Sequence, residues 1–92
     1  MRKINILICE NKLIYAEALR MMLSTYEDIN VVEAICGGYN TIDYLKHNKC
    51  LLDLVLIDTQ MYDMPNVEII RQITRIDPHL PILIFSSYDN ID

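Results

Sequence analysis

Four short runs of the chain are almost wholly apolar: residues 4–9, 31–36, 54–57 and 82–85. Each is rich in Ile, Val or Leu and too short for a helix. Apolarity that continues without alternating suits strands buried on both faces, as in a parallel sheet. Between the runs the period becomes helical. Residues 13–26 carry Leu19, Met22, Leu23 and Tyr26 at i, i+3, i+4 and i+7. Residues 41–49 carry Ile42 and Leu45, and residues 65–76 carry Ile69, Ile70, Ile73 and Ile76. Pro65 fits a first helical turn, where its missing N–H costs nothing. Gly37-Gly38 and Asp77-Pro78 punctuate the connections.

Strands and helices thus alternate, and successive strands start 27, 23 and 28 residues apart. That is close to the ~30-residue length of a βαβ unit. Right-handed crossovers then imply an α/β fold with an open, doubly wound parallel sheet. The expected order is the flavodoxin-like 2-1-3-4, in a single domain over residues 1–92 that stops just past the fourth strand. No linker, low-complexity segment or further repeat interrupts it.

In such a sheet all strands end on one edge, and ligands bind where the strand order reverses, here between strands 1 and 3. Strand 1 runs into Glu10-Asn11, strand 3 into Asp58, and strand 4 into Ser86-Ser87. Glu10 and Asp58 should therefore converge on one crevice, with a hydroxyl beside them. Two carboxylates, an amide and backbone carbonyls make a hard oxygen site suited to Mg²⁺. A carboxylate beside such an ion can act as a nucleophile toward a phosphoryl group, a transfer that needs mainly positioning and charge neutralisation. Taken singly these residues say less. Asn11 suits the N-cap of the helix starting near Leu13 as well as it suits a metal. Ser86 and Glu10 alone would be unremarkable strand ends.

Composition and charge narrow the function. Hydrophobic residues make up 52% of the chain, enough to offset chain entropy, so a folded domain is expected. No uncharged apolar run approaches the ~18 residues of a membrane span, and no membrane partner is expected. The run after Arg2-Lys3 is too short and polar for a signal peptide. Thirteen acids against eight bases give a net charge of −5, with Lys and Arg never more than two together. These residues are therefore not expected to contact nucleic acid, which calls for a basic footprint. Cys9, Cys36 and Cys50 have no metal-binding spacing and read as free thiols, the first two buried, in a reducing, cytoplasmic compartment. The loop from Glu10 to Leu13 has no glycine to admit a phosphate, which weakens a flavin- or nucleotide-binding alternative.

The chain resembles the receiver domain of bacterial two-component response regulators, in the branch with a LuxR-type helix-turn-helix effector. The resemblance covers the whole chain. It rests on residues 6–11, residues 18–23, residues 53–58 followed by Met61, and residues 80–89. The third group, an acid-led apolar strand ending in Asp with Met three residues on, carries most weight.

The resemblance implies that Asp58 accepts a phosphoryl group from a histidine kinase. It implies that Glu10 and Asn11 stand for the acidic pair holding Mg²⁺, that the Gln60 carbonyl is a further ligand, and that Ser86 is the switch hydroxyl. The domain would be a phosphoacceptor, not an enzyme in its own right, controlling DNA through an effector that residues 1–92 lack.

The departures from the family pattern carry their own expectations. Glu-Asn replaces Asp-Asp, so Mg²⁺ should bind weakly. One charge lost at ~4 Å is worth about 4 kcal/mol gross at an effective dielectric of 20. After desolvation, a tenfold to hundredfold loss of affinity is about 1.4–2.8 kcal/mol. Met61-Tyr62-Asp63 replaces Met-Pro-Gly, and Pro65-Asn66 replaces Asp-Gly. These changes keep open a degenerate receiver that acts as a phosphorylation-independent interaction module. The chain stops before the family's fifth strand with its lysine. The fourth strand should then be an uncharged apolar edge that pairs with another copy, as a homodimer or by exchange of elements.

Overall fold

The computed structural model describes residues 2–48 and 52–86. Along them run β1 (Ile4–Glu10), α1 (Leu13–Leu23), β2 (Ile29–Cys36), α2 (Gly38–His47), β3 (Leu54–Asp58), α3 (Asn66–Ile76) and β4 (Ile82–Phe85). The strands form one parallel sheet in the order β2-β1-β3-β4, the order expected. Cys50 and Ser87, singled out above, lie outside the described residues.

Several boundaries differ from the periodic reading, β2 beginning at Ile29 among them, and three have a clear local reason. Helix α1 stops at Leu23, not Tyr26. There the backbone tightens, with Thr25 N–H donating to the Met22 carbonyl and Tyr26 N–H to that of Leu23. The Thr25 hydroxyl also takes the Met22 carbonyl at 2.8 Å. Met22 and Tyr26 consequently stay exposed, while Leu19 and Leu23 pack inward. Helix α2 starts at Gly38, ahead of its apolar period, because Gly37 at φ +99° turns the chain sharply out of β2. Pro65 stands just before α3 in an extended conformation, not in its first turn. Its carbonyl accepts the N–H groups of Glu68 and Ile69.

Alternation along the strands sorts the core into two layers. Leu7 and Cys9 of β1, with Val55 and Ile57 of β3, face α2 and α3 and meet Ile42, Leu45, Ile69 and Ile73. Ile6 and Ile8, with Val31 and Leu56, face the other way, toward Leu19 and Leu23 of α1. Each fully buried Ile, Leu or Val contributes about 1.5–3 kcal/mol.

At the opposite edge from the expected crevice, Asp53 pins β3 to β1. Its carboxylate accepts the Asn5 N–H at 2.7 Å and pairs with Arg2. These contacts hold its carboxyl below the usual range. Both described cysteines are free. Cys9 is buried, and burial pushes its thiol up to about 11; Cys36 is only half-buried, less than expected.

Gly37 combines φ +99° with ψ 146°, a region closed to side-chain-bearing residues. Gly37→Ala should therefore cost about 1–3 kcal/mol, read as a lowered urea midpoint with an unchanged slope.

Candidate functional site

The site follows from register. In the β1–β3 ladder Ile8 stands beside Leu56 and Cys9 beside Ile57. One step further along, Glu10 comes opposite Asp58. Side chains alternate with period two, so Glu10 continues the row Ile6–Ile8 and Asp58 continues the row Leu54–Leu56. Both carboxyls emerge on the face that carries α1, at the carboxyl ends of adjacent strands. Both are buried: Glu10 is 0% exposed and Asp58 2%.

Two buried carboxylates side by side need protons, donors or a cation. Glu10 Oε1 has a donor in the Asn11 N–H at 2.7 Å. Oε2 is buried without one. The Asp58 carboxyl comes close enough to share a proton with Glu10. Burial, that shared proton and the charge of Asp58 raise the Glu10 pKa above its ordinary 4.5, against the backbone N–H groups of Asn11 and Lys12. This donor set fits a divalent cation. A hard cation would satisfy the orphaned oxygen and cancel the repulsion.

The loop of residues 59–65 closes over this pair with borrowed oxygens. Gln60 N–H donates to Asp58 Oδ1 at 3.1 Å, which places the Gln60 backbone beside the carboxylate. Met61 N–H donates to Asn66 Oδ1, and Asn66 Nδ2 donates to the Asp58 carbonyl at 2.7 Å. Tyr62 N–H donates to Asn11 Oδ1 at 2.8 Å. Asn11 is therefore not the cap of α1. Lys12 occupies that position with no side-chain capping bond, its ammonium over the Tyr15 ring. The Asn11 amide ties the loop after β1 to the loop after β3, and its oxygen keeps a second lone pair.

Ser86 follows β4 and borders, with Glu10, a shallow groove walled by Leu19, Met22 and Phe85. The structure thus gathers Glu10, Asn11, Asp58 and Gln60 at one point and sets Ser86 at its margin. Asn66 and Asp63 organise the same loop and were not among the expected site residues. An Asn directly after Pro at a helix start was the available signal for Asn66. Asp63 gave none.

A family model described as the response regulator receiver domain matches residues 6–92. No curated protein matches the sequence. Among solved structures, the receiver domain of the response regulator NarL from Mycobacterium tuberculosis is 21% identical. It superposes with a TM-score of 0.77 over 99% of this chain and 72% of that one. A LuxR-family response regulator from Aurantimonas is 19% identical, with a TM-score of 0.81 over 96% and 61%. The response regulator RcsB of Salmonella typhimurium is 24% identical, with a TM-score of 0.80 over 98% of this chain and 46% of that one. RcsB has also been solved bound to a promoter in the presence of the phosphomimetic BeF₃⁻. The chain therefore spans under half of that RcsB chain and less than two thirds of the Aurantimonas regulator.

The raised Glu10 pKa sets a sign for pH dependence. The folded state holds this proton more tightly than the unfolded chain. The stability it contributes is complete below 4.5 and is lost as pH rises through the folded value. Glu10→Gln supplies Asp58 with an N–H donor and removes one charge. Without divalent metal at pH 7, this variant should be more stable by about 1–3 kcal/mol. Its thermal midpoint should also lose the decline above pH 4.5 expected of the unmodified chain. A variant less stable than the parent in chelator would contradict the strained-pair account.

Proposed function

Since the chain belongs to the response regulator receiver domain family, we propose that it is a phosphoaccepting switch, with Asp58 as the acceptor and a histidine kinase as the donor. One observation carries this reading: the buried Glu10–Asp58 pair with the donorless Glu10 Oε2. A structural acid at a strand end would have solvent or donors for both oxygens; here Glu10 Oε2 is buried without an N–H, and the neighbouring group is a second carboxyl, that of Asp58. This pair is arranged for a cation and an anionic reaction partner.

Gln60 N–H holds Asp58 Oδ1 and so fixes the plane of the carboxylate. In the transfer, an Asp58 oxygen attacks the phosphorus of a phosphohistidine. A P–O bond forms, the P–N bond breaks, and the imidazole leaves. The attacking group must be ionised, so the proton shared with Glu10 has to depart before reaction. Glu10, Asp58, the Gln60 carbonyl and the second lone pair of Asn11 Oδ1 would hold Mg²⁺. When bound, that ion neutralises the carboxylates and the incoming phosphoryl oxygens. With an amide at Asn11 the site carries about two negative charges, and its affinity is correspondingly low. Ser86, at the rim of the groove, would meet a phosphoryl oxygen and report the modification.

The output is transcriptional, through a LuxR-type effector outside these residues, and the compartment is cytoplasmic. Among the described residues β4 pairs with β3 alone, and Leu83 and Ile84 are 53% and 43% exposed. An apolar edge of this kind recruits a further strand. In the isolated 92-residue chain we assign that role to a second copy, by edge pairing or exchange of elements.

Two experiments test these readings. Exposure to a small phosphodonor with Mg²⁺ should add one phosphoryl group by mass, and Asp58→Asn should abolish it with the fold intact. No labelling of the unmodified chain would favour a phosphorylation-independent interaction module. Sedimentation of the 92-residue chain should show association that Leu83→Lys weakens. A cooperative monomer at high micromolar concentration would exclude the edge as a pairing site.

A further inference from the structure

Asp63 stands in the loop after the acceptor strand, yet its partners belong to another helix. Its Oδ1 accepts the Gly38 N–H at 2.9 Å and its Oδ2 the Tyr39 N–H at 3.1 Å. These are the first two residues of α2. Gly37, directly before α2, offers no side chain, and α2 has no side-chain cap of its own. Asp63 supplies that cap from 25 residues further along the chain, with its charge at the positive end of the helix.

The same helix end is fastened to the other acid. Gly37 N–H donates to the Glu10 carbonyl at 2.8 Å. Thr41, in the first turn of α2, donates its N–H to the Gly37 carbonyl, and its hydroxyl lies 2.8 Å from that carbonyl and 3.0 Å from Cys9 Sγ. The seat is sterically tight as well. A Cβ at Gly38 would come within 2.8 Å of Ile69 Cδ1 and 3.3 Å of Met64 Cβ. The start of α2 is thus bonded to the backbone of Glu10 on one side and to the loop carrying Gln60 on the other. It cannot shift without moving one of them.

We propose that Asp63 is a positioning residue that couples α2 to the phosphoacceptor site. It holds residues 60–62 where the Gln60 carbonyl and the Asp58 carboxylate can share a cation. Ordering the site therefore tightens the start of α2, and loosening α2 weakens the site. The coupling is reciprocal, as any linkage between two equilibria must be. This inference rests on the receiver reading proposed above.

Mg²⁺ titration and amide hydrogen exchange on the full chain test it together. In the unmodified protein, saturating Mg²⁺ should slow exchange at Gly38 and Tyr39. Asp63→Ala should weaken Mg²⁺ binding about fivefold or more and remove the Mg²⁺ effect at those two amides. Asp63→Asn keeps one capping oxygen and should recover most of the affinity, which a general loss of packing would not allow. Should Asp63→Ala not fold, Asp63→Asn and the Mg²⁺ response of the unmodified amides decide the matter. Equal affinity in the variants, with Gly38 and Tyr39 indifferent to Mg²⁺, would overturn the coupling and leave the receiver reading standing. Absence of Mg²⁺ binding in the unmodified protein would overturn both.

Discussion

Two carboxyl groups are forced together by the register of two parallel strands, and the rest of the site answers that constraint. Once Ile8 lies beside Leu56, alternation leaves Glu10 and Asp58 no other place. The apolar rows beneath them fix the register, because a one-residue slip would turn every core side chain to the wrong face. Burial in the two layers thus holds an unfavourable pair in place. The core stabilises the fold by far more than the pair costs it, so the strain persists and is available for chemistry.

The loop after β3 shows how irregular backbone is kept in one shape without regular hydrogen bonding. Three successive N–H groups, of Gln60, Met61 and Tyr62, each find a side-chain oxygen from a different place: Asp58, Asn66 and Asn11. Met61 and Met64 anchor the loop to the core. Asp63 faces outward between them and takes the end of α2. Each bond alone is worth about 0.5–1.5 kcal/mol net. Together they hold one loop conformation against the chain entropy that would favour many.

Legibility in the sequence follows the range of the interaction. The strands, their order and the convergence of Glu10 with Asp58 rest on patterns of period two and on connection lengths, which neighbouring residues carry. The end of α1 was missed because Tyr26 keeps the helical spacing while the Thr25 hydroxyl draws off the Met22 carbonyl. A period cannot register that competition. Asn11 was open between cap and ligand, since its partner, Tyr62, lies 51 residues away. Asp63 read only as a departure from the Met-Pro-Gly of the family pattern, because its partners, the Gly38 and Tyr39 N–H groups, lie 25 and 24 residues away. Nothing in either segment alone shows that they meet.

The two departures therefore have different physical meanings. At position 11 an amide replaces a charge, and the site becomes less anionic while the acceptor for the Tyr62 N–H is preserved. At position 63 an acid appears where a backbone-permissive residue is usual, and its charge is taken up by the start of α2 instead of adding to the Glu10–Asp58 pair. The first lowers the demand for a cation, and the second adds rigidity to the loop that would bind it. A smaller electrostatic attraction can still organise a site whose backbone is already held in place, because less ordering entropy opposes it. The Glu-Asn pair and the aspartate in the loop are thus compensating changes around one unaltered carboxylate, Asp58, the proposed acceptor.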